Sequence, residues 1–159
     1  MRPADCRKVD DATIIEAARL LAVGELAIVP TDTVYGIAAD VRRDDAVRAL
    51  YAAKGKGPEA PLQLLFGMDG GMVERYALVG GPAERLIQQL GPGGWTIIVP
   101  ATAGWTSAAL AGGRTVGVRV PASPVVHELV RQLGAPLAAT SANRHGGSSP
   151  KSCAEAVAE

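Results

Sequence analysis

The chain has 159 residues, with 16 basic and 16 acidic side chains and a hydrophobic share of 48%. This length suits a single domain that buries roughly two-thirds of its unfolded surface, and this composition excludes a disordered chain. A formal net charge of zero argues against a protein that coats nucleic acid electrostatically, although a local basic pocket is compatible with it. We therefore expect one globular domain over residues 1–159.

The cysteines, the histidines and the N-terminus indicate which kinds of site and which cellular location to expect. Cys6 and Cys153 lie near opposite ends and outside any Cys-x-x-Cys pair, so we expect neither a disulfide framework nor a structural zinc site. His127 and His145 have no partners at metal-ligand spacing, which predicts no metal site built from side chains alone. The N-terminus is polar, and no segment is apolar for long enough to span a bilayer. These features predict a soluble cytoplasmic protein without a membrane partner.

Hydrophobic spacing and capping residues predict helices and strands that are interleaved along the chain. Helices are expected to begin near Asp11, Asp44, Pro82, Pro124 and Cys153, the last behind a capping box of Ser152 and Glu155. Strands are expected in ELAIVP (25–30), GIAAD (36–40), LQLLF (62–66), WTIIVPA (95–101), TVGVRVP (115–121) and PLAAT (136–140). This alternation predicts one α/β domain around a mixed sheet.

Four polar stretches lie in or beside these elements, where loops expose side chains and backbone donors. They are PTDTVYG (30–36), KGKGP (54–58), Arg119 inside the strand VGVRV, and TSAN (140–143). Each also has a purely structural interpretation: a turn, a solvated basic loop, a salt bridge and an Asx-type turn, respectively. TSAN can offer hydroxyl and amide donors to an anion, and a lone charge in an apolar strand needs a partner or a cavity.

Motifs of the common nucleotide-binding and hydrolytic sites do not occur in the sequence. There is no G-x-x-x-x-G-K-[ST] phosphate loop, no G-x-G-x-x-G fingerprint and no G-x-S-x-G elbow. No serine has an obvious adjacent histidine base. A P-loop nucleotidase, a dinucleotide-binding protein and a serine hydrolase are therefore not indicated.

Taken in order, five stretches resemble the YrdC/Sua5/YciO family over residues from about 10 to 150. They are PTDTVYGIAAD, the turn with Lys54 and Lys56, GPGGWTIIVP, VGVRVPASP and TSANRHGGSSP. The resemblance implies a YrdC-like open, twisted mixed α/β sheet around a large concave basic cavity. It also implies L-threonylcarbamoyladenylate synthesis, in which L-threonine, bicarbonate and ATP give threonylcarbamoyl-AMP and pyrophosphate.

The family's product feeds the t6A modification of tRNA, so the resemblance implies a nucleotidyltransferase with a downstream tRNA-modifying transferase as partner. ATP is the expected nucleotide substrate, with Mg²⁺ expected beside it. Weak RNA binding and a homodimer are left open. A carbamate nucleophile is already anionic, so we expect no catalytic base; alignment of the two anions and neutralisation of phosphate charge suffice.

The resemblance also assigns residues to the two substrates. Thr33 and Arg119 would hold threonine, the arginine pairing bidentately with its carboxylate. The residues assigned to ATP and its phosphates are Lys54, Lys56, Ser141, Asn143 and Ser149.

Three departures from the family pattern keep other functions open. Lys56 stands where the family usually has arginine, and lysine lacks the planar guanidinium fork. Ala60 replaces an asparagine, and Leu65 lies near the usual place of a histidine. Family members normally continue beyond Glu159 through a Gly-rich segment and a Ser-Thr-Val strand, so the C-terminal end is expected to be short. The alternatives are a non-catalytic relative that binds nucleotide or double-stranded RNA, and a carbamoyl-adenylate-forming module.

Overall fold

The computed structural model describes residues 5–55, 57, 60–68 and 72–159. Within this part of the chain the helices are α1 (Asp11–Ala22), α2 (Asp44–Ala53), α3 (Pro82–Leu90), α4 (Pro124–Leu133) and α5 (Cys153–Ala158). The strands are β1 (Ala27–Pro30), β2 (Tyr35–Asp40), β3 (Gln63–Leu65), β4 (Ile97–Pro100), β5 (Thr115–Arg119) and β6 (Leu137–Ser141). Each predicted helix and strand is confirmed, with bounds shifted by a few residues.

Local sequence explains where three of the helices begin. The side chain of Asp10 accepts a hydrogen bond from the Thr13 amide at 2.9 Å. The Ser152 hydroxyl accepts one from the Glu155 amide at 3.2 Å, and Ser123 caps α4 in the same way. Each cap satisfies an amide that has no partner within its helix. None of the helices in the described residues is both long and apolar enough to cross a bilayer.

The strands form one open mixed sheet in the order β1-β2-β6-β3-β5-β4. Only the β3–β5 pair is parallel among these neighbours, and the other pairs are antiparallel. Helices α1 and α4 pack on one face around buried Leu21, Leu129 and Leu137. Helix α2 packs on the other face around Val47 and Leu64. The predicted single α/β domain with a mixed sheet is confirmed.

Helix α3 is amphipathic but has no buried residue. Its apolar positions Leu86, Ile87 and Leu90 were expected on one face. Ile87 packs partly against the core, whereas Leu86 and Leu90 remain about half-exposed. The helix contacts the edge strand β4, which covers only part of its apolar surface.

The prediction against a disulfide framework is wrong. Cys6 and Cys153 form a disulfide between residues 147 positions apart, with Cα atoms 5.9 Å from each other. The bond ties the segment before α1 to the first turn of α5. Sequence spacing did not indicate it, because the fold alone brings the two chain ends together.

We expect Cys6→Ser to lower the free energy of unfolding by about 2 kcal/mol under oxidising conditions, because the crosslink restricts the unfolded chain. Urea unfolding of the wild type and the variant measures this difference. Under a reducing agent the two proteins should unfold alike. Equal stability under oxidising conditions contradicts a stabilising disulfide.

Candidate functional site

Arg119 joins three segments at the end of β5. Its guanidinium Nη2 donates to Asp32 Oδ1 at 2.7 Å and to Thr33 Oγ1 at 3.1 Å. Its Nε donates to the carbonyl of Gly93 at 3.2 Å. The arginine side chain is only 9% exposed and that of Asp32 15%, so this ion pair is largely withdrawn from water. The charge inside the apolar strand therefore has the partner that burial demands.

Thr33 is oriented by a short chain of hydroxyl groups. Thr31 Oγ1 donates its single proton to the carbonyl of Val34 at 2.6 Å. The Thr31 and Thr33 hydroxyls are 3.1 Å apart, and the amides of Thr33 and Val34 both donate to Thr31 Oγ1 at 3.2 Å. Thr33 Oγ1 accepts from Arg119 Nη2 at 3.1 Å. The turn therefore holds the Thr33 hydroxyl beside the arginine as an acceptor.

The glycine-rich turn before β4 lies directly against this loop. A Cβ at Gly94 would lie 2.9 Å from Thr33 Cγ2, closer than side chains tolerate. The turn is fixed by a bond from the Gly93 amide to the carbonyl of Val120 at 2.8 Å. A side chain at position 94 would therefore have to displace the side chain of Thr33, which accepts from Arg119.

Strand β3 lies next to β5 in the sheet. Leu65 is paired with Arg119 in the parallel β3–β5 register and is fully buried. The position where the resemblance expects histidine is thus apolar and packed beside the arginine. Two residues along the same face, Gln63 Oε1 accepts from the Thr96 hydroxyl at 2.8 Å. Gly117 leaves room for this pair, since a Cβ there would lie 2.9 Å from Thr96.

Lys54, just after α2, holds the loop that follows β6. Its ammonium donates to the carbonyl of Ser141 at 2.7 Å, to the carbonyl of Asn143, and to Asn143 Oδ1 at 3.3 Å. The residue is 8% exposed. Asn143 Nδ2 in turn donates to the carbonyls of Arg144 and Gly147, at 2.9 and 2.8 Å. Lys54 and Asn143 therefore organise the loop from inside.

The β1–β2 turn with Thr33 and the loop after β6 lie at the same end of the sheet, whereas Arg119 is level with Leu137 at the start of β6 and contacts the turn through its side chain. Ser141 is paired with Gly36 in the β2–β6 register. The Tyr35 amide donates to the carbonyl of Pro150 at 2.8 Å, and the Tyr35 carbonyl accepts from the Ala142 amide at 3.0 Å. Tyr35 follows Thr33 by two residues, so the loop over residues 142–150 lies beside the β1–β2 turn that contains Thr33.

Most of the predicted site residues are therefore brought together. Thr33 is in contact with Arg119, and Lys54 is in contact with Ser141 and Asn143. Ser149 is exposed in the same loop, and no side-chain hydrogen bond to it is found within the described part of the chain. Lys56 lies outside the described residues.

Four residues of the Arg119 neighbourhood were not assigned a role from the sequence. They are Asp32, Gly93, Gln63 and Thr96. A signal existed for Asp32, because a buried arginine needs a carboxylate and this one stands in the PTDT turn. No local signal marks Gln63, whose contact depends on the order of the strands.

Metal ligands and cavities add little to this arrangement. In residues 5–159, outside the gaps named above, no group of three or more His, Cys, Asp or Glu side chains could hold a metal ion. One hollow of about 330 Å³ lies between α4 and Gly67, and another of about 580 Å³ adjoins Trp105 and Arg114. Neither hollow is lined by the predicted site residues, so the large basic cavity remains a prediction.

Comparison with known sequences identifies the family to which the chain is similar. The Sua5/YciO/YrdC family model, described as "Telomere recombination", matches residues 19–159. A threonylcarbamoyl-AMP synthase of Bacillus subtilis is 35% identical over 142 residues, which is 89% of this chain and 41% of that protein. One of Pyrococcus abyssi is 32% identical over 96% of this chain and 44% of its own length. The chain thus spans less than half of these two relatives.

Solved structures agree with the fold. The P. abyssi Sua5 structure in complex with L-threonine has a TM-score of 0.88 and 29% identity, covering 96% of this chain and 45% of that one. Escherichia coli YciO has a TM-score of 0.80 and 25% identity, covering 93% of this chain and 72% of that one. With the family match extending over most of its length and the sheet superimposing on these structures, this chain belongs to the Sua5/YciO/YrdC family.

Proposed function

We propose that this chain provides the catalytic domain of an L-threonylcarbamoyladenylate synthase, a nucleotidyltransferase. The observation that carries the proposal is the placement of Arg119 with Thr33 next to a loop held by Lys54. A cation and a hydroxyl acceptor at one place suit an amino acid, and a loop with serine and backbone donors suits a polyphosphate. The related synthases and the threonine complex of P. abyssi Sua5 support this assignment.

In the proposed threonine site, Arg119 binds the carboxylate through Nη1. Its Nε and Nη2 are engaged by Gly93, Asp32 and Thr33, whereas Nη1 makes no hydrogen bond to the described residues. The open edge is therefore Nη1, and the bidentate fork expected from the resemblance is not free in this arrangement. Thr33 Oγ1 would accept from an N–H or O–H of the same amino acid.

In the proposed nucleotide site, Lys54 and Asn143 shape the loop, and its outward groups meet the phosphates. Both side chains are directed into the loop, so their contribution is alignment and positive potential. Ser141, at the end of β6, and Ser149, which is exposed, would donate their hydroxyls to the phosphates. We assign Lys56 to the phosphates from the resemblance alone.

The proposed reaction has two steps. The threonine amine and bicarbonate form a carbamate with loss of water. A carbamate oxygen then attacks the α-phosphorus of ATP, the bond to the β-phosphate oxygen breaks, and pyrophosphate leaves. Arg119 and Thr33 hold the nucleophile in line, while the loop and its cations reduce repulsion between the two anions.

The metal and the partners follow from the same proposal. Among the described residues no group of three or more His, Cys, Asp or Glu side chains could hold a metal ion, and Mg²⁺ would enter with ATP as its complex. The adenylate product would pass, in the cytoplasm, to a transferase that modifies tRNA. Weak RNA binding and homodimer formation remain predictions of the family resemblance.

Pyrophosphate release from ATP tests the proposal, with threonine and bicarbonate supplied together and then each omitted. The synthase assignment predicts release only when both are present. Release that needs carbamoyl phosphate instead would indicate the carbamoyl-adenylate module. No release by a folded protein that still binds ATP would favour a binding protein without catalysis.

A further inference from the structure

We propose that Asp32 is a positioning residue that aims Arg119 at the carboxylate of the amino-acid substrate. The inference rests on the proposed function, because it assigns a role within the same threonine site. Asp32 lies in the turn between β1 and β2, 87 residues from the arginine that it contacts. It does not touch the reacting atoms in this scheme and acts through the guanidinium.

The hydrogen bonds of Arg119 fix the orientation of its guanidinium group. A guanidinium has five N–H donors in one plane, one on Nε and two on each terminal nitrogen. The Nε donor goes to Gly93, and the Nη2 donors go to Asp32 and Thr33. Because these three hydrogen bonds lie in one plane, they prevent the guanidinium group from rotating. The Nη1 donors, which have no partner among the described residues, therefore point in a direction set by the other three.

Asp32 differs from the other two acceptors of Arg119 in being charged. Gly93 and Thr33 offer neutral acceptors, whereas Asp32 supplies the single carboxylate within 4.0 Å of this guanidinium among the described residues. Its bond of 2.7 Å is the shortest of the three. An ionised partner at this distance makes the strongest contact in a site that water reaches poorly. Asp32 therefore determines the orientation of Arg119 more than either neutral acceptor does.

Specificity for a carboxylate follows from this orientation. A guanidinium held on three sides meets an incoming carboxylate without reorganising, and such preorganisation preserves binding free energy. Without Asp32, the buried cation must turn toward other acceptors, and Nη1 loses its fixed direction. The loss should be larger for a ligand with a carboxylate than for the same ligand without one.

Calorimetric titration with L-threonine and with L-threoninamide, which lacks the carboxylate, tests this role in the intact protein. For the wild type we expect the amide to bind roughly 10- to 100-fold more weakly, as for a lost hydrogen bond to a charged group. In Asp32→Ala that ratio should fall about tenfold, and in Asp32→Asn, which keeps a neutral acceptor, it should fall less. A merely structural defect weakens both ligands alike and leaves the ratio unchanged.

Glu128→Gln is the matched control, because it removes another carboxylate paired with an arginine. Glu128 Oε2 accepts from Arg131 Nε at 2.7 Å on the exposed side of α4, and hydrogen bonds from Arg131 and Gln132 lower the pKa of Glu128 to about 2. The ratio should stay at the wild-type value in this variant. Thermal melting identifies the variants that are folded, and Asp32→Asn serves if Asp32→Ala is not.

The outcomes separate the two proposals. A wild-type preference for threonine that persists or grows in both Asp32 variants overturns the positioning role alone; growth would show that Asp32 competes with the substrate. A wild type that binds both ligands equally removes the carboxylate site at Arg119, and the proposed function fails with it.

Discussion

Arg119→Met is expected to lower kcat/KM for threonine roughly 10- to 150-fold, the loss of about 1.5–3 kcal/mol for hydrogen bonds to a charged group. It should also lower the free energy of unfolding by about 3–5 kcal/mol, because Asp32 is left largely buried without its cation. Steady-state pyrophosphate release and urea unfolding measure the two effects. The KM for ATP should change little, since the side-chain hydrogen bonds of Arg119 to described residues go to Gly93, Asp32 and Thr33 and not to the loop over residues 142–150.

Two companion variants separate the charge of Arg119 from its shape. Arg119→Lys keeps the cation but cannot reach Gly93, Asp32 and Thr33 together, so it should lose most of the threonine-dependent activity. The double variant with Arg119→Met and Asp32→Asn should be more stable than Arg119→Met alone, because the unpaired carboxylate is removed. If it is less stable, the account of the ion pair is wrong.

Lys54→Met is expected to weaken the use of ATP by as much as about 3 kcal/mol, or 150-fold in kcat/KM. The carbonyls of Ser141 and Asn143 lose a charged donor, and the bond from the His145 amide to the Lys54 carbonyl at 3.2 Å remains between the loop and the end of α2. Pyrophosphate release at varied ATP measures the effect. Threonine binding by calorimetry should be nearly unchanged, because Arg119 and Thr33 keep their contacts.

Lys8→Met controls for the loss of a positive charge, since Lys8 is exposed in the segment before α1. It should leave the ATP dependence within twofold of the wild type, as surface substitutions usually do. An ATP dependence in Lys54→Met equal to that of Lys8→Met contradicts the role assigned to the lysine.

Local chemistry explains why the elements could be predicted from the sequence. The caps at Asp10, Ser123 and Ser152 act on amides three residues away, so sequence spacing is enough to locate them. Strand ends were marked by prolines and glycines in the same local way. Since the polar stretches adjoin these ends, the sequence also indicated the loops on which the proposed site is built.

Contacts between distant residues could not be predicted in this way. Strand β6 inserts between β2 and β3, and the periodicity of its sequence does not contain that order. The pairing of Arg119 with Asp32 and of Lys54 with Ser141 joins residues 87 positions apart. The disulfide depends on the same folding of the chain. In α3 the spacing of apolar residues correctly identified an apolar face. It did not indicate how much of that face the rest of the protein would cover.

The lysine at position 54 illustrates the difference between finding a residue and finding its role. The family resemblance assigned Lys54 to ATP and its phosphates. In the structure its ammonium is directed at backbone oxygens of the loop after β6. A buried ammonium seeks whatever acceptors the fold provides, and those acceptors are set by tertiary structure.

Mass spectrometry of the product made from ¹³C-bicarbonate, L-threonine and ATP tests the central claim most directly. The account predicts threonylcarbamoyl-AMP that carries one ¹³C atom, together with pyrophosphate, and a strong reduction of both in Arg119→Met. A folded wild-type protein that binds ATP and threonine but forms no labelled adenylate would contradict the claim that these residues align a carbamate with the α-phosphorus of ATP.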